Sequence, residues 1–157
     1  MILGLDPGPT RSAIVLYDGE RILKHGIETN ADILAWLYEH VETSDKDMLV
    51  IEQISAMGMS VGAELFETCF WSGRFAEAWG NVAAWNRLKR HEVKMHLCGS
   101  MKAKDGNIRQ ALIDRFGPSK EIAVGTTKKR GPLFGIKADE WSALAVAVVW
   151  WDLKVKR

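Results

Sequence analysis

The sequence predicts an α/β fold in which helices flank a mixed five-stranded sheet, made of a three-strand meander plus parallel strands. Three observations support this prediction. The chain opens with three short β-type segments in succession. Strand and helix patterns then alternate, giving the order β-β-β-α-β-α-β-α-α, which is typical of a mixed sheet covered by helices. The length of 157 residues, with 47% hydrophobic and 26% charged, suits a single domain over 1–157 with its own core.

Apolar runs and turn signals mark the first three strands and the helix after them. Residues 2–6 form an apolar run that ends in the turn signal DPGPT. The segments SAIVLYD and RILKHGIE follow, joined through Asp18-Gly19, a pair favoured in hairpins. Asn30 is then expected to cap an amphipathic helix. The apolar positions of that helix are Ile33, Leu34, Leu37 and Val41.

The later elements are predicted from hydrophobic period and length. MLVIE is a short strand of the buried type, and 62–88 has a long helical pattern. HEVKMHL is predicted to be the fifth strand, and 105–116 a helix. The stretch 117–138 looks like a long loop, and ADEWSALAVAVVWWDL forms the last helix.

Composition and sequence pattern exclude several classes of protein. The N-terminal residues lack the basic region of a signal peptide, and the longest apolar stretch, 143–151, is too short to cross a bilayer. The two cysteines, Cys69 and Cys98, lack zinc-site spacing, which indicates a reducing cytoplasm without disulfides. We therefore expect a cytoplasmic protein with no membrane partner. The net charge of +1 leaves the placement of basic residues to decide whether nucleic acid is a partner.

Three acidic residues are candidates for one metal site. Asp6 and Glu52 each end a short apolar segment. If these segments are adjacent parallel strands, both carboxylates emerge at the edge where open α/β sheets bind ligands. Two carboxylates held close together repel one another, so they either share a proton or bind a cation. Asp139, at the start of the last helix, is the third oxygen ligand, and an oxygen-only set suits Mg²⁺.

Each acid also has a simpler interpretation. Asp6 precedes Pro-Gly and suits a turn, and Glu52 suits a strand end that faces solvent. Asp139 and its neighbour Glu140 both suit the first turn of a helix, where acids complement the helix dipole.

The motifs ILGLDPGPTRSAIVLYDG, MLVIEQ and ADEWSALAVA, in this order, resemble the RuvC family of Holliday-junction resolvases, within the RNase H-like superfamily. The likeness covers nearly the whole chain and is greatest to the phage-borne branch. In that family a first-strand aspartate, a fourth-strand glutamate and two ligands on the last helix bind the metals. Asp6, Glu52 and Asp139 match three of these positions. The resemblance implies a Mg²⁺-dependent endonuclease that cuts four-way (Holliday) and other branched DNA, holding one or two ions per subunit, with Mn²⁺ as a substitute.

The fourth ligand position departs from the family pattern. The family commonly has two ligands three residues apart on the last helix, and from Asp139 this spacing leads to Ser142. Glu140 points about 100° away from Asp139, since a helix has roughly 3.6 residues per turn. Ser142 or Glu140 is therefore the candidate for a further ligand. An RNase H-like module that binds junctions, with weak or no cleavage, is the alternative function.

Small and aromatic residues along 62–88 predict a second buried surface on that helix. Small residues recur at spacings of three or four, and the aromatic residues are too many for one face of the helix. We therefore expect a homodimer through 62–88, and the resemblance implies the same pairing, which matches the two-fold symmetry of a junction.

Basic residues cluster in two places that are expected to flank the metal site. A run of Lys and Arg is usually a solvated surface, but its position here suits contacts with phosphate. Lys102 or Lys104 is also expected to act in catalysis by neutralising charge on the scissile phosphate. The predicted DNA-binding residues are Lys102, Lys104, Arg109, Lys128, Lys129 and Arg130.

Overall fold

A mixed five-stranded sheet forms the centre of the protein. The computed structural model describes residues 1–40, 47–55, 61–80 and 84–155. The strands are β1 (Ile2–Asp6), β2 (Arg11–Tyr17), β3 (Ile22–Thr29), β4 (Met48–Gln53) and β5 (Trp85–Lys89). They lie in the order β3-β2-β1-β4-β5. The pairs β3–β2 and β2–β1 are antiparallel, and β1–β4 and β4–β5 are parallel. This sheet confirms the predicted meander followed by parallel strands.

Helices cover both faces of the sheet. They are α1 (Asn30–His40), α2 (Ala63–Ala78), α3 (Arg90–Cys98), α4 (Asp105–Phe116), α5 (Lys120–Ala123) and α6 (Glu140–Trp150), followed by a π-helical turn (Trp151–Val155). Helices α1 and α2 enclose one apolar core with alternate residues of the sheet, such as Leu3, Leu5 and Ile51. The opposite core contains Val15, Val50 and most of α6, and α3 and α4 pack against it. No helix in the described ranges is both long and apolar enough to span a membrane.

Helix α6 lies directly on β1 because Gly4 has no side chain. A Cβ atom at Gly4 would stand 2.1 Å from the carbonyl oxygen of Ala143 and 2.9 Å from the Cβ atom of Ala147. Both distances are shorter than side-chain contacts allow. The close packing places the first turn of α6 over the end of β1, next to Asp6.

The predicted helix over 62–88 was too long. Helix α2 ends at Ala78, and Gly80 follows with a φ of 72°, a left-handed conformation that is typical of helix ends. Trp85 and Leu88, which were predicted in the helix, lie instead on β5, paired in parallel with β4. The apolar residues continue through this boundary, so hydrophobic period alone did not show where the helix ends.

The predicted fifth strand, HEVKMHL, was also wrong, because this segment is helix α3. Its alternating apolar residues do not share one buried face, since Val93 is buried while Met95 is 47% exposed. The helix start is marked by Glu92, whose Oε2 accepts a hydrogen bond of 2.8 Å from the backbone N–H of Lys89. A Glu at the third helical position is a capping signal.

The stretch 117–138 is more ordered than predicted. It contains α5 and a short antiparallel bridge between Gly125 and Arg130, and the side chains of Leu133 and Ile136 are buried in the core. The helix at 105–116 was predicted correctly. Val41, predicted on the apolar face of α1, lies outside the described residues.

Candidate active site at the ends of β1 and β4

The parallel pairing of β1 with β4 brings Asp6 and Glu52 to the same edge of the sheet. Leu5 pairs with Ile51, and the two acids follow at the next position on each strand. This is the juxtaposition that the sequence predicted. The carboxylates border a cleft of about 200 Å³. Its lining residues are Asp6, Glu52, Gln53, Ile54, Ser55 and Arg90.

A ring of hydrogen bonds fixes the turn that follows Asp6. The backbone N–H of Gly8 donates to Ser12 Oγ (3.1 Å), and this hydroxyl donates to Asn30 Oδ1 (2.7 Å). Asn30 Nδ2 then donates to the carbonyl oxygen of Gly8 (3.0 Å). Asn30, predicted as a helix cap, therefore anchors this turn, and Thr29 Oγ1 caps α1 by accepting from the N–H of Asp32 (3.2 Å).

The first turn of α6 contributes two polar side chains near Asp6. Asp139 is the residue before the helix and is exposed, and Ser142 lies one turn further on. The Ser142 hydroxyl forms a hydrogen bond with the Asp6 carboxylate. The predicted helix thus does deliver Asp139 and Ser142 to the end of β1.

The electrostatic environment of Asp6 indicates an excess of negative charge. Burial, together with the carboxylates of Glu52 and Asp139, raises its pKa from an ordinary 3.8 to about 8. The Arg90 guanidinium and the Ser142 hydroxyl oppose this shift only in part. A carboxyl group held among other carboxylates in this way takes up a proton or a cation.

Arg90 was missed by the sequence analysis, and it is the cation that contacts the site. Its Nη1 donates to Glu52 Oε1 (2.6 Å) and lies 3.5 Å from Ser142 Oγ, and its Nη2 pairs with Asp105 Oδ1 (2.5 Å). Arg90 is the first residue of α3, at the boundary between two elements whose limits were predicted wrongly. No local sequence signal distinguishes it from the neighbouring basic residues.

Glu140 is directed away from Asp6, toward β3. Its carboxylate is almost fully buried. Oε2 accepts a hydrogen bond of 2.7 Å from the backbone N–H of Lys137, and Oε1 lies 3.1 Å from His25 Nδ1. Glu140 therefore holds the turn that precedes α6 and links the start of this helix to β3, an edge strand of the sheet.

The predicted basic residues lie on the surface around this edge. Lys102 and Lys104 are exposed in the loop between α3 and α4, and no ion pair in the described part of the chain joins them to the three acids. Arg109 stacks on Trp141 of α6, with its Cζ atom 4.8 Å from the ring centroid.

The second basic cluster is a tight turn. The backbone groups of Thr126 and Lys129 bond reciprocally, and the bridge between Gly125 and Arg130 closes the turn. Lys128, Lys129 and Arg130 are all exposed there. We call residues 125–130 the basic turn.

The carboxylates of Asp6, Glu52 and Asp139 are near one another, but they do not form a ready-made metal site. Within the described residues, no three Asp, Glu, His or Cys side chains are placed so that they could hold a metal ion as they stand. Glu52 gives one oxygen to Arg90, and its other oxygen, Oε2, is buried without a hydrogen-bond partner. A buried carboxylate oxygen without a partner, beside Asp6, fits a cation that prefers oxygen ligands, such as Mg²⁺.

The sheet order, its flanking helices and the acids at the ends of β1 and β4 define an RNase H-like α/β fold. The chain is similar to the solved structure of Thermus thermophilus RuvC, with a TM-score of 0.65 and 16% identity over 94% of this chain and 91% of that chain. It is equally similar to T. thermophilus RuvC in complex with a Holliday junction substrate, with a TM-score of 0.64 and 17% identity over 94% and 90% of the two chains. Neither a protein-family model nor a curated protein matches the sequence. The comparison confirms the fold that the sequence motifs implied.

Proposed function

We propose that this chain is a structure-selective endonuclease that resolves four-way (Holliday) and other branched DNA junctions by metal-dependent phosphodiester hydrolysis. The observation that carries the proposal is the pair Asp6 and Glu52 at the end of adjacent parallel strands, with one Glu52 oxygen buried and unpartnered. The fold supports it, because a structure with the same fold is a RuvC bound to a Holliday junction substrate. The branched DNA substrate follows from the sequence resemblance to the RuvC family of Holliday-junction resolvases.

The proposed metal ligands are Asp6, Glu52 and Asp139. Bound Mg²⁺, or Mn²⁺ in its place, would supply Lewis acidity at the scissile phosphodiester. Asp6 contributes a carboxylate at the start of the turn that the ring of hydrogen bonds around Gly8 holds, and Asp139 contributes one from an exposed position. Ser142 orients the Asp6 carboxylate through its hydrogen bond.

Lys102 and Lys104 are the proposed phosphate contacts in the loop before α4. Both residues precede α4, whose first residue, Asp105, pairs with Arg90, and Arg90 in turn pairs with Glu52. This chain of contacts connects the loop of Lys102 and Lys104 to the acidic edge, the name we give to the carboxylates of Asp6, Glu52 and Asp139. A lysine here would neutralise charge on the scissile phosphate, and Arg109 on Trp141 would extend the basic surface.

The basic turn is proposed to bind the phosphates of a junction arm. Replacing Lys128, Lys129 and Arg130 with Ala should weaken junction binding and lower the slope of log K against log salt by about 0.9 for each lost phosphate contact on duplex DNA. Fluorescence anisotropy with a labelled junction over a series of salt concentrations measures this slope. An unchanged slope would mean that the basic turn is only a solvated surface.

The dimer is proposed to form through α2. Phe66 and Phe70 lie one turn apart on this helix and are 67% and 59% exposed. Cys69 and Gly73 continue the same exposed stripe. An apolar face of this kind suits a two-fold interface in which each copy covers the other. Light scattering by the purified chain tests the proposal, and a monomer at working concentrations would contradict it.

Cleavage of a labelled four-way junction by the purified protein in Mg²⁺ is the direct test of the proposed function. Paired nicks placed symmetrically in opposing strands are the expected products, with no cleavage of the linear duplex made from one arm. Tight junction binding without nicks in Mg²⁺ or Mn²⁺ would favour the alternative, a junction-binding module. The observation that favours this alternative is the ion pair of Glu52 with Arg90, which occupies an oxygen of a proposed ligand.

Mg²⁺ should stabilise the protein more at about pH 8.5 than at about pH 6. The folded-state pKa of Asp6 is raised to about 8, so the metal-free folded chain binds a proton that the unfolded chain has released. This contribution makes the metal-free protein less stable as pH rises from about 4 to about 8. Mg²⁺ competes with that proton, so its effect grows over the same window. At about one hundred times Kd the gain is about 2.7 kcal/mol.

Thermal unfolding with and without Mg²⁺ at the two pH values measures this effect. Asp6→Asn is the control, because it removes the titrating group and should lose the pH dependence of the Mg²⁺ effect. Equal stabilisation of the wild type at both pH values would contradict the placement of the ion at Asp6.

A further inference from the structure

We propose that the guanidinium of Arg90 takes the place of a second divalent ion, so that each subunit holds a single ion. This inference rests on the proposed metal-dependent function. It concerns how the acidic edge compensates its charge, and it accounts for the serine found at position 142, where the family pattern has a metal ligand.

The contacts of Glu52 divide the acidic edge into two halves. Glu52 Oε1 accepts the hydrogen bond of 2.6 Å from Arg90 Nη1, whereas Oε2 is buried without a partner. Oε2, on the other half, is the Glu52 oxygen left to bind a cation beside Asp6. The half that contains Oε1 already has a positive charge.

Ser142 lies on the Arg90 side of this division. Its Oγ is 3.5 Å from Arg90 Nη1, and it also bonds the Asp6 carboxylate. A carboxylate at this position on α6 would face the guanidinium directly. The neutral hydroxyl of Ser142 adds no negative charge there. The Arg90 guanidinium therefore compensates the charge on this half without a divalent ion.

Arg90 is held in place from two directions. It is the first residue of α3, a helix anchored in the core by Val93, and its Nη2 pairs with Asp105 at the start of α4. The side chain is 30% exposed, so its charge is screened less than that of a fully solvated arginine. A guanidinium fixed in this way is a permanent charge, because arginine does not lose its proton in proteins.

The charges of the edge support the same conclusion. Asp6, Glu52 and Asp139 carry three negative charges when they are ionised, and one divalent ion with one guanidinium neutralises them. Asp105 is 74% exposed, so solvent screens most of its charge. A second divalent ion would have to displace Arg90 and leave the buried edge with excess positive charge, which is costly in a low-dielectric environment.

Mn²⁺ binding measured by electron paramagnetic resonance of the free ion tests the inference without DNA or turnover. The wild-type protein should bind one Mn²⁺ per subunit. The double variant Arg90→Ala with Ser142→Asp should bind two, because it removes the guanidinium and adds a carboxylate on the same side. Arg90→Lys keeps the charge and should still bind one ion.

Arg87→Ala is the matched control. Arg87 is an exposed arginine on β5 that pairs with Ile51, so it faces the opposite side of the sheet from Glu52. Its loss removes the same charge and should leave the stoichiometry at one ion. Circular dichroism of each variant shows whether it is folded.

Two ions bound to the wild type with similar affinity would overturn the role of Arg90 and leave the proposed nuclease function standing, whether or not the double variant folds. A folded double variant that binds a single ion would overturn it as well. Absence of Mn²⁺ binding in the wild type would overturn the metal-dependent function together with this inference.

Discussion

Replacing Asp6 with Asn should lower junction cleavage by at least about a thousandfold, equivalent to about 4 kcal/mol of transition-state stabilisation, and leave junction binding within about twofold. The substitution removes one proposed ligand and leaves the exposed basic residues unchanged. It should also make the metal-free protein more stable at about pH 8, because an amide carries no charge to repel Glu52 and Asp139. Single-turnover cleavage, binding anisotropy and thermal unfolding measure these three effects.

Asp114→Asn is the matched control for this experiment. Asp114 is an exposed acid on α4 that accepts a hydrogen bond from Gln110, and an amide can keep that bond. Its cleavage rate should equal that of the wild type. If Asp6→Asn cleaved the junction at the wild-type rate, Asp6 would not be a metal ligand that cleavage requires.

The alanine variants of Asp139 and Glu140 should differ sharply, although the two residues are adjacent. Asp139→Ala should lose nearly all cleavage with little change in the midpoint of thermal unfolding, because Asp139 is exposed and caps nothing with its side chain. Glu140→Ala should keep a metal site but lose stability, because it leaves the N–H of Lys137 and the ring of His25 without their partner. The cost of such a loss is about 1–3 kcal/mol, or roughly 2–10 °C in Tm for a chain of this size.

Glu140→Gln separates the two effects further. The amide oxygen can still accept the hydrogen bond from Lys137, so this variant should recover most of the stability and cleave like the wild type. If Glu140→Ala is stable and inactive while Asp139→Ala cleaves normally, the assignment of the two acids is reversed.

The proposed single ion changes what a substitution at Ser142 is expected to do. Ser142→Asp restores the spacing of ligands that the family pattern has, yet the new carboxylate would meet Arg90 at a position now 3.5 Å from it. The pair would neutralise one another, so the gain of a second ion requires the loss of Arg90 as well. Spacing on one helix is therefore insufficient to predict the metal content of this edge.

Much of the fold was predictable because its signals are local. The apolar runs of β1 and β4 placed Asp6 and Glu52 at strand ends, and the Asp18-Gly19 turn marked the hairpin between β2 and β3. The hydrophobic pattern also located α4 correctly. From these elements alone, the parallel strands and their shared edge could be inferred, since few topologies accommodate this order of strands and helices.

The limits of α2, β5 and α3 were not predictable, since the same apolar and aromatic residues suit either period. Trp85 and Leu88 became strand residues because β4 offered an unpaired parallel edge, and α2 stopped near Gly80. Pairing with a distant strand outweighed local helical preference at this point.

The role of Arg90 depended entirely on the arrangement of elements in space. Arg90 and Glu52 are 38 residues apart, and their contact depends on where β5 ends against β4 and where α3 begins. Likewise, Glu140 faces His25 rather than Asp6 because Gly4 lets α6 lie against β1 in one orientation. Periodicity and turn chemistry act over a few neighbouring residues. They were sufficient to predict that the acids lie at the ends of strands and so at one edge of the sheet. The partner of each acid was set by packing between distant segments, which no local pattern encodes.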